Sequence, residues 1–521
     1  MSRSLKVVLL GLLVVMVFAG TVFAQSVFIY GRGGDSVRLD PADITDGESV
    51  KACTQIFENL VEFKDNSTAV EPGLATSWEV SEDGLTWTFN LRKGVKFHDG
   101  TPFNADAVVF SLMRQKDKEH PAHNGDFAYW NYMYNNVEDV WKTDDYTVKI
   151  KLSEPYAPFL YNMACFPVMI VSPTAMTENG VEHFRTHPVG TGPFKFVEWK
   201  RNDRIILDKN EDYWGEKAGV DRVIIRSIPE NTTRLMALLA GEIHAMDGVS
   251  PENIKTLKEE KREDLKIVAQ PGMNVGYLAM NMEKEPFGND KVRKALAYAI
   301  NKKKIVSELF EGMAVPAVNM LPPNLWGYND EIEDYSYDPV KAKALLTAAG
   351  YPDGFKTDLW YMPVPRPYMP DGKLVAQAIQ QDLKKIGVEC NLVTYDWGTY
   401  LEKLENFEHT MCLIGWMGDN GDPDNFLYVL LDKDTAIPGS AQNYSNYKSE
   451  EYHNMMIEAQ RSFDQKKRDT LYKDAQALLH EDVPTVPVAH AYNLAIVNTS
   501  VKGFKLHPTS NFWFDSVVVE E

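Results

Sequence analysis

The sequence predicts an α/β protein of two or three domains, and three observations support this prediction. Segments typical of strands alternate with segments typical of helices along most of the chain, as in α/β folds. Near the amino terminus, short alternating strands follow Asp-Gly turns such as Asp83-Gly84, which indicates antiparallel hairpins. The length of 521 residues exceeds that of one ordinary domain.

The first 24 residues have the composition of a secretory signal peptide. Arg3 and Lys6 precede an apolar run over residues 7–19, and small residues end the segment at Ala24. This pattern predicts cleavage after Ala24 and export of the mature chain, with a membrane anchor as the alternative. No cysteine follows the apolar run, so we do not expect a lipid anchor. No second segment is long and apolar enough to span a bilayer.

Charge and cysteine content exclude several classes of function. The formal charge is −20, and it becomes −22 without the signal segment, which argues against nucleic acid as a partner. Four cysteines are too few to form a disulfide framework in so long an exported chain, and the sequence leaves open whether two of them form a single disulfide. The chain contains no CxxC and no HExxH motif, so we expect neither a zinc site nor a cofactor.

The most informative stretch runs from Met362 to Phe426. It opens with a proline-rich loop that carries Arg366, and prolines keep such a loop stiff. It closes with a Gly/Pro-rich turn of acidic residues directly after the apolar run 411–414, which predicts a buried strand. A cation on one loop and an anion on another are able to hold the two ends of a small zwitterion, with Trp397 as an apolar wall.

The same stretch gives little support for catalysis. The chain contains none of the motifs GxSxG, SxxK and HExxH, so no activated nucleophile is predicted. The acidic turn resembles a calcium loop only faintly, because it lacks a glutamate twelve residues in and Pro423 interrupts its spacing. A calcium loop and a secreted hydrolase stay as alternatives.

Several blocks of the sequence resemble the extracellular solute-binding proteins of family 5, which deliver peptides to ABC importers. The blocks are the segment from Gly73 to Asp106, the Gly190-Thr-Gly192-Pro-Phe turn, the helix that starts at Asp290, and the stretch 362–426. The resemblance covers nearly the whole mature chain. It implies a two-lobed periplasmic binding protein-like fold of type II, with the extra inserted domain of the peptide-binding group.

The resemblance also implies a division of the chain into domains. Domain I is expected to comprise residues 25–57, 190–270 and 489–521. Domain II is expected at 58–189, inserted into domain I, and domain III at 271–488. The segment 271–281 should contain a buried strand that crosses between the lobes.

In the dipeptide-specific branch of this family, charged residues hold the two ends of the peptide. The resemblance implies that Asp419 binds the amino group, with Asp422 and Asp424 as alternatives, and that Arg366 binds the carboxylate. A surface ion pair for Arg366, an Asx turn for Asp419 and core packing for Trp397 are the non-functional alternatives. Tyr368, Trp397 and Thr45 are also expected in the site. Gly415 and Met417 are expected to offer backbone groups to the peptide bond.

The function that the resemblance implies is capture of dipeptides in the periplasm. The expected partners are a dipeptide or short peptide and an inner-membrane ABC permease, and the protein should be a monomer that closes around its ligand without a covalent step. Same-fold binders of oligopeptides, glutathione, a nickel chelate or haem remain open. So do a secreted hydrolase and a role as a chemoreceptor partner or peptide chaperone.

Overall fold

The structure, a computed structural model, describes residues 25–520. The predicted signal peptide therefore lies outside the described residues. None of the helices within 25–520 has the length and apolar character needed to cross a membrane. Strands and helices are numbered below in chain order.

One mixed sheet of twelve strands runs through the molecule. Two of its strands, β12 (Leu265–Pro271) and β14 (Ala314–Pro316), pair with β18 outside the main order. From edge to edge that order is β16 (Glu389–Val393), β15 (Lys356–Trp360), β17 (Met411–Met417), β13 (Asn274–Met280), β18 (Thr485–Asn498), β11 (Ala245–Met246), β1 (Val27–Arg32), β10 (Arg222–Ser227), β9 (Arg204–Lys209) and β8 (Phe194–Lys200).

The inserted region between β1 and β8 has its own antiparallel sheets. A four-stranded sheet has the order β4 (Ala75–Val80), β5 (Thr86–Leu91), β7 (Thr147–Leu152) and β6 (Val137–Asp144). The same region contains the pair β2 (Val61–Phe63) with β3 (Val70–Pro72). In the carboxy-terminal segment, β19 (Val501–Lys502) pairs with β20 (Val518–Val519).

Sixteen α-helices lie in the described part of the chain, together with 3₁₀ turns at Pro41–Asp43, Phe166–Val168 and Lys433–Thr435. The first eight helices are α1 (Gly47–Ile56), α2 (Ala105–Lys116), α3 (Ala128–Met133), α4 (Phe159–Asn162), α5 (Pro173–Asn179), α6 (Val181–Phe184), α7 (Asn231–Leu239) and α8 (Pro251–Glu260). The last eight are α9 (Asp290–Ala299), α10 (Lys302–Leu309), α11 (Pro339–Ala348), α12 (Gly372–Lys384), α13 (Trp397–Glu405), α14 (Asp424–Leu431), α15 (Glu450–Arg461) and α16 (Gln465–Asp482).

Buried apolar side chains form three large cores. Core 1 joins residues 28–57 to strands β8–β10 and to the carboxy-terminal segment, core 2 lies within residues 60–170, and core 3 lies within residues 273–491. We refer to cores 1 and 2 as lobe 1 and to core 3 as lobe 2. Core 1 also includes buried residues between 122 and 184, within the range expected for domain II, so the division into domains stays a prediction.

Two chain segments connect the lobes side by side. Residues 492–498 of β18 pair with β12, and residues 485–489 pair with β13, so both β18 and the β12–β13 connection pass from one lobe to the other. At the crossing, Gly272 N donates to Ala491 O at 3.1 Å, and Asn274 exchanges two side-chain hydrogen bonds with the Ala491 backbone. Strand β13 is buried along its whole length, as its apolar sequence indicates.

Local signals located several helices correctly, with errors at the ends. Asn104 caps α2, where its side chain accepts from Ala107 N at 3.2 Å. The sequence predicts a helix from Val50 to about Leu60, but the helix spans Gly47–Ile56, because Asp46 caps it earlier and Phe57 is extended. The spacing of apolar residues from Leu374 to Ile386 predicts α12, but Leu374 is 46% exposed and does not belong to the buried face.

The four cysteines are all buried, and none forms a disulfide in the structure of residues 25–520. Each packs as a small apolar side chain, which agrees with the apolar runs around Cys165 and Cys412.

Candidate binding cleft

A cleft of about 1220 Å³ lies between the two lobes. It is bounded by both lobes, and its lobe 1 side includes Tyr129, which packs against core 2, and Phe166, which packs against core 1. Residues distant in sequence are therefore brought to one surface. All seven residues predicted for the site line this cleft: Thr45, Arg366, Tyr368, Trp397, Gly415, Met417 and Asp419.

A tight hairpin holds Arg366 over the cleft. Arg366 N donates to Met369 O at 3.1 Å and Met369 N donates to Arg366 O at 2.9 Å, while prolines precede and follow the arginine. The guanidinium lies 5.4 Å from the ring centre of Trp397. No carboxylate of residues 25–520 lies within 4 Å of it, so Arg366 is not part of a surface ion pair.

Two glycines allow the Arg366 loop to pack directly on the central sheet. Gly276 of β13 and Gly415 of β17 are paired across the sheet, and the ring of Tyr368 lies against Gly415. A β-carbon on Gly415 would overlap that ring and the carbonyl of Val275. Burial raises the pKa of Tyr368 to about 12, against the opposing effect of Arg366, so its hydroxyl is neutral.

The end of β17 leaves backbone groups available to the cleft. Strand β15 pairs with β17 only at Met411 and Cys412, so beyond Cys412 the strand has β13 as its one neighbour in the described sheet. The free side includes Gly415 and Met417, the residues predicted to offer backbone groups to a peptide bond. The Met417 side chain is 37% exposed.

Asp419 is held in place by neutral hydrogen-bond donors. Its carboxylate accepts from Tyr129 Oη at 3.2 Å and from Asn425 Nδ2 at 3.4 Å. Its own backbone N donates to Asn425 Oδ1 at 2.9 Å. Burial raises the pKa of Asp419 to about 6, although the Asn425 and Tyr129 hydrogen bonds act in the opposite direction. Among the described residues, no lysine or arginine pairs with this carboxylate.

The two neighbouring aspartates are already used within the protein. Asp422 is fully buried and pairs with Arg468 Nη2 at 2.7 Å, and Asp424 accepts from Gln460 Nε2 at 2.9 Å and from Tyr156 Oη at 3.0 Å. Neither residue lines the cleft. The geometry therefore favours Asp419 among the three aspartates.

On the opposite wall, lobe 1 contributes a charged group that the sequence did not reveal. Lys51 Nζ lies 2.9 Å from Glu48 Oε1 and also pairs with Asp247. The three residues line the cleft beside Thr45. No motif links Asp247 to the other two, which are almost 200 residues earlier, so only the folded structure brings them together.

Within residues 25–520, one cluster of three possible metal ligands is present, and it lies outside the cleft. Ligand atoms of Asp432, Asp434 and His453 lie within 4.8 Å of one another. His453 Nδ1 is hydrogen-bonded to Asp432 Oδ1 at 3.0 Å, which accounts for this arrangement without an ion. The residues that line the cleft include neither histidine nor cysteine.

The fold and the cleft define a two-lobed solute-binding protein, and comparison with known sequences establishes the family. Residues 69–437 match the model of the bacterial extracellular solute-binding proteins, family 5 Middle. The chain belongs to this family, whose curated relatives are binding proteins.

Individual relatives cover almost the whole chain. It is 40% identical to the dipeptide-binding protein of Escherichia coli (strain K12), across 98% of this chain and 97% of the relative. It is 41% identical to heme-binding protein A of Haemophilus influenzae, across 95% and 93%. Among solved structures, the periplasmic binding protein DppA of Helicobacter pylori, in complex with peptide STSA, has a TM-score of 0.78 and 40% identity, with coverage of 95% and 99%.

Proposed function

We propose that this protein captures dipeptides in the periplasm and delivers them to an inner-membrane ABC permease. The observation that carries the proposal is that the carboxylate of Asp419 and the guanidinium of Arg366 line the same cleft. Neither has a charged partner among residues 25–520. The dipeptide-binding relative is similar along nearly its whole length, which supports the same assignment.

The chemistry of a dipeptide fits these two groups. A dipeptide at neutral pH carries an ammonium at one end and a carboxylate at the other. Asp419 would accept hydrogen bonds from the ammonium, and the planar fork of Arg366 would hold the carboxylate through two parallel bonds. A ligand that lacks one charged end would leave a partly buried charge unpaired, so the cleft would reject it.

The remaining predicted residues would orient the peptide between these ends. The free side of β17 at Gly415 and Met417 would hydrogen-bond the peptide backbone, as in strand addition to a sheet edge. Tyr368 and Trp397 would form the wall around the carboxylate, and Thr45 would contribute from lobe 1. Binding of this kind needs no covalent step, and we therefore propose a binding protein rather than an enzyme.

Release to the permease would follow from lobe movement. The two connecting segments would serve as the hinge, with domains I and II moving against domain III, and the closed form would present a continuous surface to the permease. We propose that the mature protein is a periplasmic monomer that begins after Ala24.

Calorimetric titration of the mature protein tests the proposal, after bound ligand has been removed by unfolding and refolding. The titrants are Ala-Ala, its N-acetylated form, its C-amidated form and tetra-alanine. We expect tight binding of Ala-Ala and loss of at least about 100-fold for each capped form. If tetra-alanine binds as tightly as Ala-Ala, the ligands of the protein are oligopeptides rather than dipeptides. Absence of heat with every peptide would contradict the proposal.

The volume of the cleft favours a second candidate, a larger solute bound by the same fold. About 1220 Å³ exceeds the usual range for small-ligand pockets, and a heme-binding protein is among the similar relatives. A spectroscopic titration with haemin separates the two candidates. A Soret shift that saturates at one equivalent, and that Ala-Ala does not reverse, would favour haem.

A further inference from the structure

The cleft continues into lobe 2 beyond the groups assigned to the two peptide ends. Its lining includes Tyr277, Ile414 and Leu430, each at most 3% exposed. Side chains so well shielded from bulk water border the cavity only where it penetrates the lobe. The cleft therefore has an inner pocket between the central sheet and the helices of core 3.

A carboxylate without a partner lies at this pocket. Trp397, Leu401 and Glu405 are spaced four residues apart on α13 and all line the cleft, so one face of the helix borders it. Glu405 is half-buried, and within residues 25–520 its carboxylate has neither a hydrogen bond nor an ion pair. As the last residue of α13 it also faces the negative end of the helix dipole, which is unfavourable for an anion.

A second polar group that lines the pocket is also unpaired. Tyr277 Oη is buried and has no hydrogen-bond partner within residues 25–520. Tyr444 lies close enough to Glu405, Tyr368 and Tyr277 for charge on one to affect the pKa of another. Burial, followed by the neighbouring Glu402, raises the pKa of Glu405. A cation placed in the pocket would relieve this unfavourable burial.

The position of the pocket relates it to the carboxylate end of the ligand. Tyr368 borders the pocket and lies two residues from Arg366, and α13 begins at Trp397, against the Arg366 guanidinium. Asp419, by contrast, lies beside Tyr129 of core 2. A side chain that enters the pocket therefore comes from the residue that carries the free carboxylate.

We propose that this pocket binds a lysine or arginine side chain at the second position of a dipeptide, with Glu405 as its counter-ion. The inference rests on the proposed function and adds a preference among ligands. The aliphatic stem would pack on Leu401, Ile414 and Leu430, and the charged head would reach Glu405.

The charge balance of the cleft agrees with this preference. The ends of a dipeptide neutralise Asp419 and Arg366 and leave the other charges unchanged. The remaining charged residues of the cleft are then one base and four acids. The cleft therefore attracts a cationic side chain more strongly than a neutral or acidic one. The charged residues that line the cleft are Asp46, Glu48, Asp247, Glu405 and Asp419, with Lys51 and Arg366.

Titrations with matched dipeptides test the inference on refolded wild-type protein, Glu405→Gln and Glu402→Gln. Ala-norleucine is the comparison for Ala-Lys, because it has a similar stem without the charge. We expect wild type to bind Ala-Lys about tenfold or more tightly than Ala-norleucine, since charge-assisted hydrogen bonds are worth this much. Glu405→Gln should abolish the difference and keep Ala-Ala affinity within about twofold.

The exposed Glu402 lies on the same helix outside the cleft, so Glu402→Gln should behave as wild type. Lys-Ala should show no gain that depends on Glu405. The inference would be overturned if wild type did not prefer Ala-Lys to Ala-norleucine, or if Glu405→Gln kept that preference. A gain in Lys-Ala affinity that depends on Glu405 would also overturn it. If Ala-Ala fails to bind wild type, the proposed function itself is wrong and the inference falls with it.

Discussion

At the residue scale, the protonation of Asp419 links binding to pH. Asp419 has a pKa near 6 because its burial disfavours the charged form, yet it must be ionised to pair with an ammonium group. Below pH 6 the free protein holds a proton there that binding has to displace. Above pH 7 the carboxylate is already charged and binding costs no proton.

We therefore predict that Ala-Ala affinity is nearly constant around pH 7 and falls by about tenfold per pH unit below pH 6. It should fall again above about pH 8, where the peptide ammonium loses its proton. Calorimetry between pH 4.5 and 8 measures this dependence, together with the proton released on binding. Asp419→Asn serves as the control, and its weak residual binding should lose this pH dependence. An unchanged wild-type affinity down to pH 4.5 would contradict the role given to Asp419.

Local patterns singled out Arg366, in a proline-rich loop, and the acidic residues of a Gly/Pro-rich turn. The choice of Asp419 among those acidic residues came from the family resemblance. The sequence did not reveal Tyr129, which contacts Asp419 from 290 residues away, since no local pattern encodes that contact. Glu405 was missed for a different reason. A glutamate near the end of an amphipathic helix is ordinarily solvated, and only the packing of α13 shows that it faces the cleft.

At the scale of elements, the contact between the Arg366 loop and β17 sets the position of the guanidinium. The sequence predicted β17 as a buried strand and the loop as stiff, but it assigned Gly415 only to backbone contacts with the ligand. In the structure Gly415 also leaves space for the ring of Tyr368, which anchors the loop. Helix α12 was predicted from its periodicity, although its start at Gly372 depends on the Asp371 cap.

Gly415→Ala should weaken Ala-Ala binding and destabilise the protein by about 1–3 kcal/mol, because the β-carbon overlaps the Tyr368 ring. Thermal unfolding and calorimetry measure the two effects. Gly398→Ala in α13 is the matched control, since its β-carbon makes only an ordinary contact with Asp396. Wild-type affinity in Gly415→Ala would show that the glycine does not position the loop.

At the scale of the whole molecule, two neighbouring connections join the lobes, and our proposal assigns the hinge to them. Long-range pairings determine this arrangement, such as that of β13 with residues 485–489 of β18, more than 200 residues apart. Composition and periodicity do not specify such pairings, so the two-lobed fold came from the family resemblance rather than from local signals. The absence of space for a β-carbon at Gly272 indicates a tightly packed crossing.

Small-angle X-ray scattering should record a smaller radius of gyration for the protein with Ala-Ala than for the refolded, ligand-free protein. The physical reason is that the ligand contacts both lobes. Asp419 and Arg366 bind it from lobe 2 and Thr45 contacts it from lobe 1, so binding closes the cleft. N-acetyl-Ala-Ala at the same concentration is the control and should leave the radius unchanged. Identical scattering with saturating Ala-Ala would exclude lobe closure.

The most direct test of the two-ended clamp is a thermodynamic cycle that pairs each charged residue with each end of the ligand. Calorimetry would compare wild type, Asp419→Asn and Arg366→Gln with Ala-Ala, its N-acetylated form and its C-amidated form. We predict that acetylation costs wild type about 100-fold or more but costs Asp419→Asn little, and that amidation behaves in the same way with Arg366→Gln. Acetylation should cost Arg366→Gln as much as it costs wild type, and amidation should cost Asp419→Asn as much as it costs wild type, so the free-energy losses in these crossed pairs should be additive. Full losses on acetylation in Asp419→Asn and on amidation in Arg366→Gln would contradict the assignment of these residues to the peptide ends.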